Sequence, residues 1–442
     1  MRGPVRTHSR PVSGPLGLPV ALLGTLLALL LMCGGGVSAG AASATGAAPA
    51  AFRVISQAAK PAFPDTITFT LSAESDAGEI VDARLFYRPT ASEVANLAVA
   101  AITRGRRIDV TQAVDMRDRY LPPGLDIQYF WSLTDAAGNR FDTAPQQFLY
   151  QDERFPWRTV SGGQVTIYYY SGNDDFGREL LDTASRTIAK LNVRFGVVGD
   201  RPIHIVVYGN TRDFAASLPP NSAEWIGGQA HPDLGLIVTG IQPGGGAAAE
   251  IRRVVPHEVS HLLLYQATEN PYGAAPHWLD EGLAVYNQEA ADTTLAPLLD
   301  RAIKNGTLLP TRALNSNFPL DPTQARLSYA ESLSLVQYLV ATYGDAKVGE
   351  LLRSFKAELS YDEALVRTFG FDTDGLDREW KASLGYRGDK PAASGAGGVS
   401  GLVNDVAKNG TALAVLGVAV PLVALAAIVA GGLFVRRRRP AA

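Results

Sequence analysis

The stretch His257-Glu258-Val259-Ser260-His261 decides how the rest of this chain is read. Two histidines four residues apart lie about one turn apart on one face of a helix, so their imidazoles can converge on one metal ion. Glu258 stands beside the first of them, within reach of a water at that ion. Leu262, Leu263 and Leu264 follow at once and bury the helix in a core. The pattern predicts a helix over about 248–267, with Pro256 inside it. A mid-helix proline removes one hydrogen bond and bends the helix. Alternatively the helix starts at Pro256 as its first residue. Either way His257 and His261 share continuous helix.

An open site of this kind needs a third protein ligand. Further along, the chain reads Pro276-His277-Trp278-Leu279-Asp280-Glu281-Gly282-Leu283-Ala284, and Glu281 is the natural third ligand. Taken together, these two segments make the chain resemble the gluzincin metallopeptidases, and within them the peptidase MA-like group. There a W-L-N-E-G segment follows H-E-x-x-H. Nineteen residues separate His261 from Glu281. The family spacing is one residue shorter and falls on Asp280. Trp278, Leu279 and Gly282 align around Glu281, which an insertion of one residue in 268–276 would accommodate, so Asp280 stays open as the alternative ligand. The resemblance implies Zn2+ held by His257, His261 and Glu281, with Glu258 as general base toward a water in the open position. It implies hydrolysis of peptide bonds, with a polypeptide as substrate.

Two further features of the related aminopeptidases bear on the site. In them a tyrosine opening a Y-x-K-G-A helix stabilises the oxyanion. Here Ser328-Tyr329-Ala330-Glu331-Ser332 also reads as a helix start, and the resemblance gives Tyr329 that role. The other reading of Tyr329 is a core tyrosine. The relatives also carry G-x-M-E-N on the strand before the zinc helix, and its glutamate grips the substrate's free amine. The stretch taken to correspond, Gly235-Leu236-Ile237-Val238-Thr239-Gly240, has no carboxylate. That favours an endopeptidase, cutting within extended polypeptide laid along that strand edge. The competing class is a catalytically silent surface protein that keeps the fold to bind or scaffold a partner. Of the other histidines, His204 reads as packed in a sheet, His231 as near the edge that flanks substrate, and His277 as a neighbour of the ligands.

Ahead of this region, period-two patterns predict strands. Ile67, Phe69 and Leu71 alternate with threonines; Ala83, Leu85 and Tyr87 alternate with polar or aromatic neighbours, as do Ile127, Tyr129, Trp131 and Leu133. Asp135 to Asn139 is a turn into Phe141. The pattern looks like an immunoglobulin- or fibronectin-type β-sandwich, with a positioning role or a plain spacer as its two readings. After Phe155-Pro156-Trp157 the chain alternates strands near 165–170, 202–208, 227–230 and 236–239 with helices, one of them amphipathic through Phe176, Leu180, Ala184, Ile188, Leu191 and Phe195. Beyond Glu281 the pattern is helical to Tyr386, with Trp380 as a core anchor. The resemblance covers roughly 165–386.

The termini carry their own signals. Arg2, Arg6 and Arg10 precede an apolar run from Leu18 to Met32 and then small residues, the plan of a signal peptide. An acylated Cys33 or an uncleaved anchor are the other readings. Thr411 to Val435 is free of charge and is followed by Arg436 to Arg439, a membrane span with a cytoplasmic basic flank. The net charge of −3 gives no bias toward nucleic acid, and the one cysteine, Cys33, leaves the folded part without disulfides or thiolate ligands. The expected class is α+β. The expected plan is a signal peptide at 1–44, a β-sandwich at 45–154, a gluzincin-like, zincin-type peptidase with a helical C-terminal subdomain at 155–386, a flexible linker at 387–410, a transmembrane helix at 411–435 and a tail at 436–442. This places the protein in the cell membrane by a single pass, with its catalytic domain extracytoplasmic.

Overall fold

A computed structural model describes residues 52–117, 119–219, 227–272, 275–319 and 321–388. The expected signal peptide and the 411–435 span lie outside the described residues. No helix among the described residues is long and apolar enough to cross a membrane.

The N-terminal part is all strand: β1 Phe52–Ala62, β2 Thr66–Ser75, β3 Ile80–Pro89, β4 Asn96–Val99, β5 Arg107–Asp115, β6 Leu125–Asp135, β7 Arg140–Asp142 and β8 Gln146–Tyr150. They make two antiparallel sheets, ordered β1-β2-β5 and β4-β3-β6-β7, with β8 also pairing β6. Strands alternate side chains between faces, so the period-two residues must share one side. They do: Ile67, Phe69, Leu71, Ala83, Leu85, Tyr87, Ile127, Tyr129, Trp131 and Leu133 all enter one core. The Phe69 ring meets those of Tyr87 and Tyr129 at centroid distances of 5.6 and 5.1 Å, across the gap between the sheets. The turn after β6 is held by Asp135, whose carboxylate accepts from the N–H groups of Ala137 and Asn139, each at 2.9 Å.

The second part begins with β9 Arg158–Gly162, β10 Val165–Tyr169, α1 Asp174–Phe195, β11 Ile203–Tyr208, α2 Thr211–Ala215, β12 Gly228–His231, β13 Leu236–Gly240 and α3 Ala247–Thr268. The five strands form one sheet, ordered β12-β13-β11-β10-β9. β10, β11 and β13 are parallel, and β9 and β12 run antiparallel along the two edges. One face packs on α1 and α3, where Ile167, Ile205 and Ile237 share a core with Leu180, Leu191, Val259 and Leu263.

The other face is buried too. Val206, Tyr208, Leu236 and Val238 belong to the same core as β2, β3 and β6. The N-terminal sheets therefore supply the second cover of the mixed sheet. Burial on both faces is why β11 reads as an almost unbroken apolar run rather than an alternating one. At Gly124, φ is +96° and a Cβ would lie 2.4 Å from Val206 Cγ2, so only glycine lets this turn press against the sheet. Tyr208 Oη donates to the buried Asp152 carboxylate at 2.8 Å, and Tyr120 Oη to the Ser217 carbonyl at 2.8 Å. All described residues fall in one compact unit.

The C-terminal part is helical: α4 His277–Asn287, α5 Leu295–Asn305, α6 Pro322–Tyr343, α7 Asp345–Lys356, α8 Tyr361–Phe369 and α9 Thr373–Ser383. The molecule is thus α+β, with antiparallel sheets first and helices last. α6 starts earlier than the sequence suggests. Asp321 caps it by accepting from the Gln324 N–H, and Pro322 takes the first turn, where its missing N–H costs nothing. Tyr329 therefore lies about two turns inside the helix, not at its start. Gly282 sets how closely α4 and α6 approach, since a Cβ there would be 2.5 Å from the Ser332 carbonyl oxygen. Trp380 is fully buried, as expected, and its indole N–H donates to Ser334 Oγ at 3.0 Å.

Candidate metal centre

Helix α3 continues past Pro256 on both sides, so the proline lies inside the helix, as in the first of the two sequence readings, and His257 and His261 share a helix face. Their Nε2 atoms lie 3.3 Å apart. Glu281, on α4, places Oε2 3.5 Å from His257 Nε2 and 3.6 Å from His261 Nε2. One ligand atom from each of the three lies within 4.8 Å of the other two, so the group could hold a metal ion. Asp280, the alternative ligand, stands behind His261, with Oδ2 3.0 Å from Nδ1. It is placed to accept the Nδ1 proton and orient the ring, as outer carboxylates do around metal-binding histidines.

The donors fit zinc. Two imidazole nitrogens and a carboxylate oxygen are its usual protein ligands, and three of them leave a fourth position open. Glu281 Oε2 is buried and has no hydrogen-bond partner among the described residues. A buried carboxylate oxygen left so, between two imidazole nitrogens, requires a cation or a proton for balance. The protein groups alone already show this pull. Burial pushes Glu281 up, but His261, His257 and His277 outweigh it and hold the carboxyl at about 2. Burial disfavours charge on His261, yet Asp280 and Glu281 overcome it and raise the ring to about 10.

Glu258 is buried beside the pair. Burial pushes its carboxyl up, against the opposing pull of His257 and His261, and Glu281 adds to the rise. A carboxyl raised from its usual range is better matched to taking and returning a proton near neutral pH. The edge strand β12 presses on it: a Cβ at Gly228 would lie 2.5 Å from Glu258 Oε1. Tyr329 reaches the same place from α6, with Oη donating to Glu281 Oε1 at 3.3 Å. Burial and the charge of Glu281 raise its hydroxyl well above the usual range, which keeps it a donor. His277 Nε2 lies 3.6 Å from Glu281 Oε1, and its ring packs edge-on to Phe318 at 4.5 Å. A cavity of about 300 Å³ opens beside His257 and Glu258, walled by Gly228, Val254, Val285, Leu295, Ala325 and Tyr329.

The remaining histidines stand elsewhere. His204 on β11 has Nδ1 3.0 Å from the Gly124 carbonyl oxygen, at the junction with the N-terminal sheets. His231 pairs with Leu236, so alternation turns it to the face away from Glu258. The sheet edge beside the site is β12, whereas Leu236–Gly240 lies between β12 and β11 in the interior. The absence of a carboxylate carries over, because β12 reads Gly228-Gln229-Ala230-His231. Sequence reasoning missed Gln288, whose amide Nε2 is 3.2 Å from His257 Nδ1. The signal was present: Gln288 follows Glu281 by seven residues, about two helical turns along the same face.

Residues 183–386 match the family model of the Peptidase MA superfamily. The match starts within α1 and takes in α3 to α9; the N-terminal strands lie outside it. It supports a zincin-like metallopeptidase superfamily, whose members are typically metal-dependent, and a peptidase domain implies a polypeptide substrate. A comparison with curated proteins gives no match. Among solved structures, the chain is similar to the ApaA protein from Bordetella pertussis at 10% identity, over 24% of this chain and 97% of that one, with a TM-score of 0.18. It is similar to the purple acid phosphatase PPD1 of yellow lupin (Lupinus luteus) at 11% identity, over 44% and 35%, with a TM-score of 0.19. It is similar to a polysaccharide deacetylase from Bacillus cereus at 9% identity, over 47% and 66%, with a TM-score of 0.19. None of these three likenesses bears on the chemistry.

Proposed function

We propose that this protein is a zinc-dependent peptidase of the gluzincin kind, anchored in the membrane by 411–435 with its catalytic part outside, that cuts within extended polypeptides. The observation that carries the chemistry is the convergence of His257, His261 and Glu281 beside a buried Glu258 at the mouth of a cavity. The anchoring rests on the sequence of the two termini. The domain plan is kept from the sequence: a β-sandwich at 45–154 and a peptidase at 155–386. The N-terminal sheets, split into β1-β2-β5 and β4-β3-β6 with β7 and β8, suit an immunoglobulin- or fibronectin-like sandwich.

His257, His261 and Glu281 would hold Zn2+, with Asp280 orienting His261. Zinc bound there supplies a Lewis acid that polarises the scissile carbonyl and makes an attacking water more acidic. Glu258 takes a proton from that water as its oxygen bonds to the carbonyl carbon. It returns the proton to the amine nitrogen as the carbon–nitrogen bond breaks. The Tyr329 hydroxyl donates to the oxygen that gains charge. The substrate backbone adds to the edge of β12, which Gly228 brings against Glu258. With no carboxylate on β12 to grip a free amine, internal bonds are the expected targets.

The test uses the full chain loaded with zinc and given unfolded protein substrates. Wild type should cleave them. Glu258→Gln should keep its zinc and fold and lose about 10²–10⁴-fold in turnover, because an amide cannot accept the water's proton. A zinc-bound wild type that cleaves no unfolded substrate would mean a binding module instead.

A further inference from the structure

The hydrogen-bond ladder of α3 is interrupted at Pro256, one residue before His257. Proline has no N–H, so the Arg252 carbonyl, four residues back, has no partner from that position. It accepts instead from the backbone N–H groups of Glu289 at 2.9 Å and Ala290 at 3.2 Å, just past the end of α4. The same segment is tied down twice more. The Asn287 amide donates to Ser260 Oγ at 3.2 Å, and Ser260 Oγ donates to the Pro256 carbonyl at 2.7 Å. Lys190 Nζ donates to the Asn287 carbonyl at 3.1 Å. Between these anchors sits Gln288, its amide 3.2 Å from His257 Nδ1.

We infer that Pro256 and Gln288 are positioning residues of one device: Pro256 frees a backbone acceptor that docks 287–290 on α3, and Gln288, held there, fixes the ring of His257 for metal binding. This rests on the reading of His257, His261 and Glu281 as metal donors. For His257 Nε2 to offer its lone pair, Nδ1 must carry the proton and needs an acceptor. Gln288 Oε1 is buried and without a partner among the described residues. Turning the amide end for end brings Oε1 onto Nδ1–H, which gives the ring N–H its acceptor and the amide oxygen its donor. His261 has the corresponding acceptor in Asp280. The two histidines are thus oriented by one stretch of chain, His261 by a carboxylate within α4 and His257 by an amide just after it. The amide depends on the docked segment, because Gln288 lies one residue past the end of α4.

Zinc titration and amide hydrogen exchange on the full chain test this without reference to hydrolysis. Gln288→Leu removes the acceptor and should raise the zinc dissociation constant about 10–100-fold, with exchange at Glu289 and Ala290 unchanged. Gln288→Glu restores an acceptor and should recover the affinity. Pro256→Ala supplies an N–H that competes for the Arg252 carbonyl. Exchange at Glu289 and Ala290 should quicken and zinc affinity fall, by less than in Gln288→Leu. The double variant should bind zinc no more weakly than Gln288→Leu alone, since both changes act through one contact. Substituting Co2+ should shift the visible absorption of Gln288→Leu but not of Gln288→Glu. The inference fails if Gln288→Leu binds zinc as wild type does, if Gln288→Glu is no better than Gln288→Leu, or if Pro256→Ala leaves the two amides equally protected. A wild-type chain without stoichiometric zinc would instead overturn the metal-site reading itself.

Discussion

The two helices that wall the candidate site contribute in different ways. From α4 and the residue after it come Glu281, Asp280 and Gln288, each set against an imidazole. From α6 comes Tyr329, which touches Glu281 but neither histidine by a hydrogen bond, and beyond it the cavity wall of Pro322, Ala325 and Arg326. α4 is clamped to α3 through the Arg252 carbonyl and to α6 at Gly282. A clamped wall suits metal donors, which must keep their distances. A hydroxyl that borders open space, with Glu281 on its other side, suits a group that can turn to the substrate. The difference implies that changes on α4 alter metal retention, whereas changes on α6 alter turnover.

The largest effects are expected at the three proposed metal donors. His257→Ala or His261→Ala should abolish stoichiometric zinc, and Glu281→Ala should weaken it strongly. Asp280→Asn keeps an oxygen that can accept from His261 Nδ1–H and should leave most of the zinc in place. Zinc content after dialysis, measured by atomic emission, decides between the neighbours. Loss of metal from Asp280→Asn together with retention in Glu281→Ala would move the third donor by one residue and break the division of labour along α4.

How far the sequence carried this picture depends on the range of the interactions. The histidine pair and its helix were legible because four-residue spacing is a local property, and α3 ends within a residue of where the pattern put it. That Glu281 would meet the two histidines was legible from Trp278, Leu279 and Gly282 around it. β2, β3 and β6 announced themselves by alternation, whereas β4 is short and β1 is half-exposed or exposed throughout; β5 alternates too, with Ile108, Val110 and Val114 inward, and was passed over. Nothing local told which strand would form the sheet edge, since edge status depends on pairing across the chain. β12 took that place and Leu236–Gly240 did not. The start of α6 was missed because Tyr329 drew attention to itself, although Asp321-Pro322 is a cap followed by a first-turn proline. The burial of the mixed sheet under the N-terminal strands was written in Ile203-His204-Ile205-Val206-Val207-Tyr208, whose apolar run leaves no face for water.

The next effect down tests the α6 wall. Tyr329→Phe removes one hydroxyl and keeps the ring, which packs against Phe318 at 5.1 Å. Zinc affinity should be unchanged. Turnover should fall by about 10²–10³, with KM little altered, if the hydroxyl is a donor to the transition state. A variant that loses zinc instead would show that the 3.3 Å contact to Glu281 serves the metal, and the two walls would then share one task.

The least effect on the site is expected from the far side of the same helix. Glu331, two residues beyond Tyr329, is fully buried and accepts from the Leu309 N–H at 3.1 and 3.2 Å through its two oxygens. Burial pushes its carboxyl up to about 8, with the Leu309 bond and the Lys381 charge pulling the other way. A carboxyl raised from 4.5 in the unfolded chain favours the folded state in its neutral form. That contribution is complete below the unfolded value and is lost as the pH rises through about 8. Glu331→Gln keeps an oxygen for the Leu309 N–H and cannot ionise. Its stability relative to wild type should therefore grow between about pH 5 and pH 9, by on the order of a few kcal/mol. Zinc binding and turnover at neutral pH should stay as they were. Urea unfolding of both proteins at the two pH values reads the difference. Equal pH dependence in the two would mean that Glu331 is charged in the fold. A change in zinc affinity or turnover would mean that the core face of α6 is coupled to the site, and that α6 is held as firmly as α4.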